Sequence, residues 1–168
     1  MYHHKEGKDH EQRAGKAICY RFADCGLLQH HILNISAVSY TPMRIRAEIP
    51  AGKIREYESI FEALRREVWE ETGVHLTAIQ GEETSQFLDV AGNKTIMFSK
   101  YCVTQNLSGA YSLILSTFLC EAEGELLERT NETENIRWMR RDMLKEIVDN
   151  SPESIFLMHV YALRKYLG

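Results

Sequence analysis

No stretch of this 168-residue chain approaches the roughly 20 consecutive apolar residues that a membrane-spanning helix needs. The four cysteines, Cys19, Cys25, Cys102 and Cys120, include no C-x-x-C pair. That argues against a zinc site or a disulfide framework and fits buried free thiols in a reducing cytosol. An excess of positive charge is also missing. The formal net charge is −4, which removes the basic footprint of a nucleic-acid-binding protein, although an acidic protein can still bind polyphosphates through divalent cations. No repeat, low-complexity tract or linker divides the chain. Met1 to Lys16 is polar and charged, so it does not read as a secretory leader. His3 and His4 form only a pair, without ligand spacing. The expected organisation is a flexible tail over residues 1–16 and a single domain over residues 17–168, in a cytoplasmic protein.

What is present is the text of a mixed domain. Lys16 to Phe22 reads as a strand and Ala23 to Gly26 as a turn. Leu27 to Tyr40 is rich in Leu, Ile and Val and holds one or two strands. Arg44 to Ile49 alternates charged and apolar residues, as a half-buried strand does, and Pro50 ends regular pairing. Ser59 to Thr72 is the strongest helix. Ser59 and Glu62 make an S-x-x-E capping box, Ile60, Phe61, Leu64 and Val68 line one stripe, and Gly73 stands where a helix-ending residue belongs. Weaker apolar stretches follow at Leu76 to Gln80 and Phe87 to Val90. Strands are expected at Ile96 to Val103, Tyr111 to Leu119 and Ile136 to Met139, and a short helix at Asp142 to Val148. Ser151 and Pro152 are expected to open a last helix, with Ile155, Phe156, His159, Val160, Leu163 and Leu167 facing inward. The order of elements argues for an α+β domain, layered α/β/α.

The most informative segment runs from Gly52 to Val74, G-K-I-R-E-Y-E-S-I-F-E-A-L-R-R-E-V-W-E-E-T-G-V. Glu58, Glu62, Glu67, Glu70 and Glu71 crowd it. Capping accounts for Glu62. Glu67, Glu70 and Glu71 stand at i, i+3 and i+4, one face of a helix at the edge of the apolar stripe. Like charges at that spacing destabilise an isolated helix, so their presence beside a docking face points to a cation. Hard carboxylate oxygens suit Mg²⁺ or Mn²⁺, and Mg²⁺ commonly shares its sphere with substrate phosphates. The plainer alternative is a solvated acidic helix face.

The segment resembles the Nudix hydrolase signature, G-x5-E-x7-R-E-U-x-E-E-x-G-U with U a bulky aliphatic residue. Gly52, Glu58, Arg66, Glu67, Val68, Glu70, Glu71, Gly73 and Val74 fill every specified position. The resemblance implies a mixed sheet between helices and hydrolysis of a nucleoside diphosphate linked to another moiety. It implies that Glu67 and Glu71 are core metal ligands, with Glu70 and the Ala51 carbonyl as further ligands. It makes Arg66 the partner of an acid, Glu58, that orients the helix. Gly52 would let the loop backbone approach the ion, and Gly73 would permit a sharp exit. The implied reaction is attack of a metal-activated water on a pyrophosphate. The proton acceptor is either a glutamate of the signature helix or one on a distant loop.

The lead-in A-E-I-P-A-G-K-I, Ala47 to Ile54, resembles that of ADP-ribose and nucleotide-sugar pyrophosphatases. Ser108 to Leu119 resembles the glycine loop and strand of that branch, and Glu132 to Met139 its acidic loop and next strand. Glu132 and Glu134 are therefore candidate ligands or bases. There are departures. Glu56 and Tyr57 stand where P-G often precedes the glutamate, so a tyrosine replaces a flexible glycine, and the usual proline or tyrosine specificity mark is not evident. Arg44 and Arg46 are candidates to reach a diphosphate. Tyr40, Tyr57 and Tyr111 are candidates to stack on a base. Trp138 reads as core, and Trp69, opposite the stripe, as a second-layer or dimer contact. The expected partner is a small-molecule nucleoside diphosphate derivative, without nucleic acid or membrane, and a homodimer stays open. Two other functions stay open as well: a (deoxy)nucleoside triphosphate pyrophosphohydrolase, and a non-catalytic domain that senses a nucleotide.

Overall fold

A computed structural model describes residues 15–22, 46–108, 113–130, 133 and 135–168. Its spine is the strand β7, Ile114–Glu123. Successive side chains of a strand point to opposite faces, and β7 is apolar on both. Leu113, just before it, and Leu115 pack with Val148, Val160, Leu163 and Leu167. Phe118, Cys120 and Ala122 pack with Ile60, Phe61, Leu64 and Val68. The helix α1, Ile60–Thr72, therefore covers one face. The helices α2, Arg141–Asn150, and α3, Leu157–Leu167, cover the other. Burial on both sides explains why this strand reads as a nearly continuous apolar run.

The first strand, β1 (Gly15–Phe22), lies antiparallel along β7 from Gly15 opposite Ala122 to Phe22 opposite Leu115. The short β2, Ala51–Gly52, pairs parallel to β1 through Tyr20 and Arg21. Two strands share the other edge of β7. They are β3, His75–Ile79, with a register shift between Leu76 and Ala78, and β6, Cys102–Gln105. The result is a mixed sheet between helices, an α+β fold. A separate hairpin joins β4, Gln86–Val90, to β5, Asn93–Met97. Its loop, Ala91 and Gly92, has φ of 52° and 82°, the paired positive angles that suit a tight two-residue turn between twisted strands.

Both ends of α1 follow the sequence. The Ser59 hydroxyl accepts from the Glu62 N–H at 3.2 Å, and the Glu62 carboxylate accepts from the Ser59 N–H at 2.9 Å. Gly73 closes the helix at φ 81°, donating its N–H to the Trp69 carbonyl at 2.9 Å. The stripe Ile60, Phe61, Leu64 and Val68 is fully buried.

Several expectations are corrected. Within Arg46 to Ile49 there is no strand, only a bridge between Ala47 and Ile155. Sheet pairing starts directly after Pro50, at Ala51 and Gly52, rather than ending there. The Ile96 to Val103 run splits, because Met97 ends the hairpin while Cys102 starts pairing with β7. Ile136 to Met139 is not a strand, and Trp138 is 48% exposed rather than core. Pro152 opens a single 3₁₀ turn, Pro152–Ser154, not the last helix, because Ile155 returns to extended backbone before α3 begins. The expectation of a second-layer or dimer contact at Trp69 is not corrected: the residue is 52% exposed and stacks on His75 with ring centroids 6.4 Å apart. The turn expected at Ala23 to Gly26 and the strands expected within Leu27 to Tyr40 lie outside the described residues.

Candidate active site

The loop from Lys53 to Ser59 carries the chain from β2 into α1. It is shaped by Glu58, whose carboxylate accepts from the Arg55 N–H at 2.9 Å, while its own N–H donates to the Arg55 carbonyl at 3.1 Å. Tyr57, in the tip of this turn, sits at φ 61° and is almost fully exposed. A left-handed backbone at a tyrosine is disfavoured, so the position that departs from the glycine-bearing pattern keeps a glycine-like conformation.

Arg66 organises the face of α1. Its Nε and one Nη2 hydrogen reach the two oxygens of Glu58 at 2.8 and 2.9 Å. The other Nη2 hydrogen reaches the Lys53 carbonyl at 2.9 Å, and Nη1 reaches Glu67 at 2.7 Å and Glu70 at 3.1 Å. The guanidinium has five N–H donors, and each has an acceptor. Its hydrogen bonds to Glu58, followed by Glu67, raise its pKa above the ordinary arginine value against the opposing effect of burial. This is one half-buried cation set among three carboxylates.

Glu71 faces inward. It is 3% exposed, and its Oε2 accepts from the Ala51 N–H at 3.1 Å. That bond fastens β2 to the helix. Gly52 next to it carries the carboxylate of Glu67 directly over its Cα, and a Cβ there would fall inside that carboxylate. Only glycine allows this approach. Glu70 is the outermost of the three, 40% exposed at its side chain.

Glu67, Glu70 and Glu71 thus share one helix face against the Ala51–Gly52 backbone. Among the described residues no three His, Cys, Asp or Glu side chains converge to enclose an ion, since Glu67 and Glu70 turn to Arg66. The donor chemistry still fits a hard cation. All the candidate side-chain donors are carboxylate oxygens, and Mg²⁺ is usually bound by one or two carboxylates with waters and substrate phosphates rather than in a protein cage.

The Nudix domain family profile matches residues 17–158, and the chain belongs to that family. It is a Nudix pyrophosphohydrolase, of a family whose members act on small nucleotide substrates with divalent metals. Among solved structures it is similar to a mutator MutT protein from Bacillus halodurans. The identity is 18% and the TM-score 0.40, over 90% of this chain and 82% of that one. No curated protein matches. No helix among the described residues is long and apolar enough to cross a membrane.

Arg46 is exposed, and its charge acts on Glu48, whose pKa it lowers against the effect of burial. Arg44, Tyr40, Tyr111, Glu132 and Glu134 lie outside the described residues. Two residues escaped the sequence reading. Glu48, inside the A-E-I-P-A-G-K-I lead-in, is partly buried, and burial pushes its pKa up to about 7 against the opposing pull of Arg46. Arg55 pairs with Glu70 at 3.3 Å. It occupies an unspecified position of the signature, so only its spacing from Gly52 and Glu58 could have drawn notice.

Proposed function

We propose that this protein is a Mg²⁺- or Mn²⁺-dependent hydrolase that cleaves the pyrophosphate of ADP-ribose or a similar nucleotide sugar. One observation supports the site above all others: Glu67 lies over the bare Cα of Gly52 while Glu71 is bonded to the N–H of Ala51. The P-A-G lead-in, Pro50 to Gly52, supports the substrate class by resemblance. Glu67, Glu70 and Glu71, with the Ala51 carbonyl, would hold the cation. When bound, the cation would supply Lewis-acid stabilisation of the phosphate and a lowered pKa for an attacking water.

The chain's own groups do the positioning. Arg66 fixes the angle of Glu67 and Glu70 while staying on Glu58. Glu71 holds the β2 backbone against α1. Glu70, exposed at the rim, and the loop residues Glu132 and Glu134 are the candidates to accept the water's proton. Arg44, Arg46 and Tyr111 are candidates to contact the substrate. The reaction takes place in the cytoplasm on a free nucleotide.

A hydrolysis panel with Mg²⁺ and Mn²⁺ tests this reading. AMP and ribose 5-phosphate from ADP-ribose support it. Nucleoside monophosphate and pyrophosphate from a triphosphate would replace the substrate class. Tight nucleotide binding without turnover would replace catalysis with sensing.

A further inference from the structure

The geometry points to Arg55 as a phosphate-binding residue of this site, a cation that shares Glu70 with the metal and turns to the substrate's diphosphate when the metal draws Glu70. This deepens the proposed hydrolase reading and rests on it. Arg55 stands on the loop directly after Gly52. Its backbone is fixed at both ends of the turn, through its N–H to the Glu58 carboxylate at 2.9 Å and its carbonyl to the Glu58 N–H at 3.1 Å. Its side chain is 64% exposed and pairs with Glu70 at 3.3 Å.

The contrast with Arg66 decides the roles. Arg66 is 16% exposed, with every N–H engaged, and Glu58 grips it with both oxygens. It cannot leave without stranding a half-buried carboxylate. Arg55 can leave, because an exposed ion pair of this kind contributes little. Glu70 is bound on both sides, Oε1 by Arg55 and Oε2 by Arg66. A cation arriving at Glu70 therefore competes with Arg55 first.

The donors of the face supply the reason. Among the described residues Arg66 has each of its N–H groups engaged by Glu58, Glu67, Glu70 or the Lys53 carbonyl, so it has no donor left for a diphosphate. A guanidinium fork matches phosphate oxygens in pairs. Arg55 is placed to provide that match from a rigid backbone beside the acids.

The test uses Mn²⁺ alone, titrated by electron paramagnetic resonance, and inorganic pyrophosphate titrated calorimetrically into the Mn²⁺-loaded protein. Arg55→Ala should bind Mn²⁺ about two- to fivefold more tightly, since it removes an exposed competitor for Glu70. The same variant should bind pyrophosphate about tenfold more weakly, the loss expected of a charge-assisted contact. Arg55→Lys should fall between. The melting temperature should stay near wild type in both variants. If both affinities weaken together, or neither moves, the inference is wrong. Neither probe carries a nucleotide, so a failure of ADP-ribose turnover overturns only the substrate class. Lack of Mn²⁺ binding by the wild type overturns the hydrolase reading together with this one.

Discussion

Replacing Arg66 with alanine removes the single cation that three glutamates share. Five hydrogen bonds disappear, to Glu58, Glu67, Glu70 and the Lys53 carbonyl. The larger cost is what stays behind. Glu58 is 15% exposed and Glu67 is 15% exposed at their side chains, so both keep a partly desolvated charge that has lost this guanidinium. Removing one partner of a buried pair costs about 3–5 kcal/mol, and the residual exposure puts this site at the lower end, about 3 kcal/mol. In a domain of this size that is a fall of about 6–12 °C in melting temperature. The assay is urea unfolding of Arg66→Ala, Glu58→Gln and the double variant at neutral pH. The double variant should recover part of the loss, because it no longer strands a charge on Glu58, giving a coupling energy of at least about 1 kcal/mol. Arg66→Lys should keep the charge and lose the fork, landing between. A loss below about 0.5 kcal/mol for Arg66→Ala, the range of an ordinary surface change, would refute the view that this guanidinium organises the face.

Other outcomes follow from the same geometry. Glu71→Gln keeps an acceptor for the Ala51 N–H, so its unfolding midpoint should stay near wild type. Turnover should fall at least about 100-fold, and wild-type rates would take Glu71 out of the metal site. Gly52→Ala drives a Cβ into the Glu67 carboxylate; it should cost about 1–3 kcal/mol of stability and at least about tenfold in turnover, measured by urea unfolding and steady-state kinetics. His159 is fully buried, and burial lowers its pKa to about 3 from 6.5. Below pH 6.5 the unfolded chain takes up a proton that the fold refuses. This contribution is therefore complete above pH 6.5 and is lost as pH falls toward 3, at about 1.4 kcal/mol per unit. Urea midpoints between pH 7 and pH 5 should fall less steeply in His159→Gln, and equal slopes would contradict that assignment.

Much of the fold was legible because its signals are local. Ser59, Glu62 and Gly73 mark both ends of α1 by side-chain chemistry alone, and the apolar run at β7 announces a strand buried on both faces. The errors lie where tertiary pairing overrides local pattern. Ile96 to Val103 looks like one strand, yet its halves pair with different partners. Arg46 to Ile49 alternates like a strand but finds only a bridge to Ile155. Pro152 suits a helix start, and here Ile155 is drawn instead into pairing with Ala47, which breaks the turn from α3. At the site, Glu67, Glu70 and Glu71 could be read from their spacing, and Arg66 from the signature that the segment resembles. Arg55 could not, because its pairing with Glu70 depends on how the loop folds. Glu48 could not, because its raised pKa comes from burial that no spacing encodes.

The most direct measurement is hydrolysis of ADP-ribose and related nucleoside diphosphate derivatives by the purified protein with Mg²⁺ or Mn²⁺, with the products identified and the Glu71→Gln variant alongside. The wild type should release AMP and ribose 5-phosphate, and the variant should be folded and nearly inactive. A wild type that cleaves no nucleoside diphosphate derivative with either metal, or a variant as active as its parent, would contradict the account.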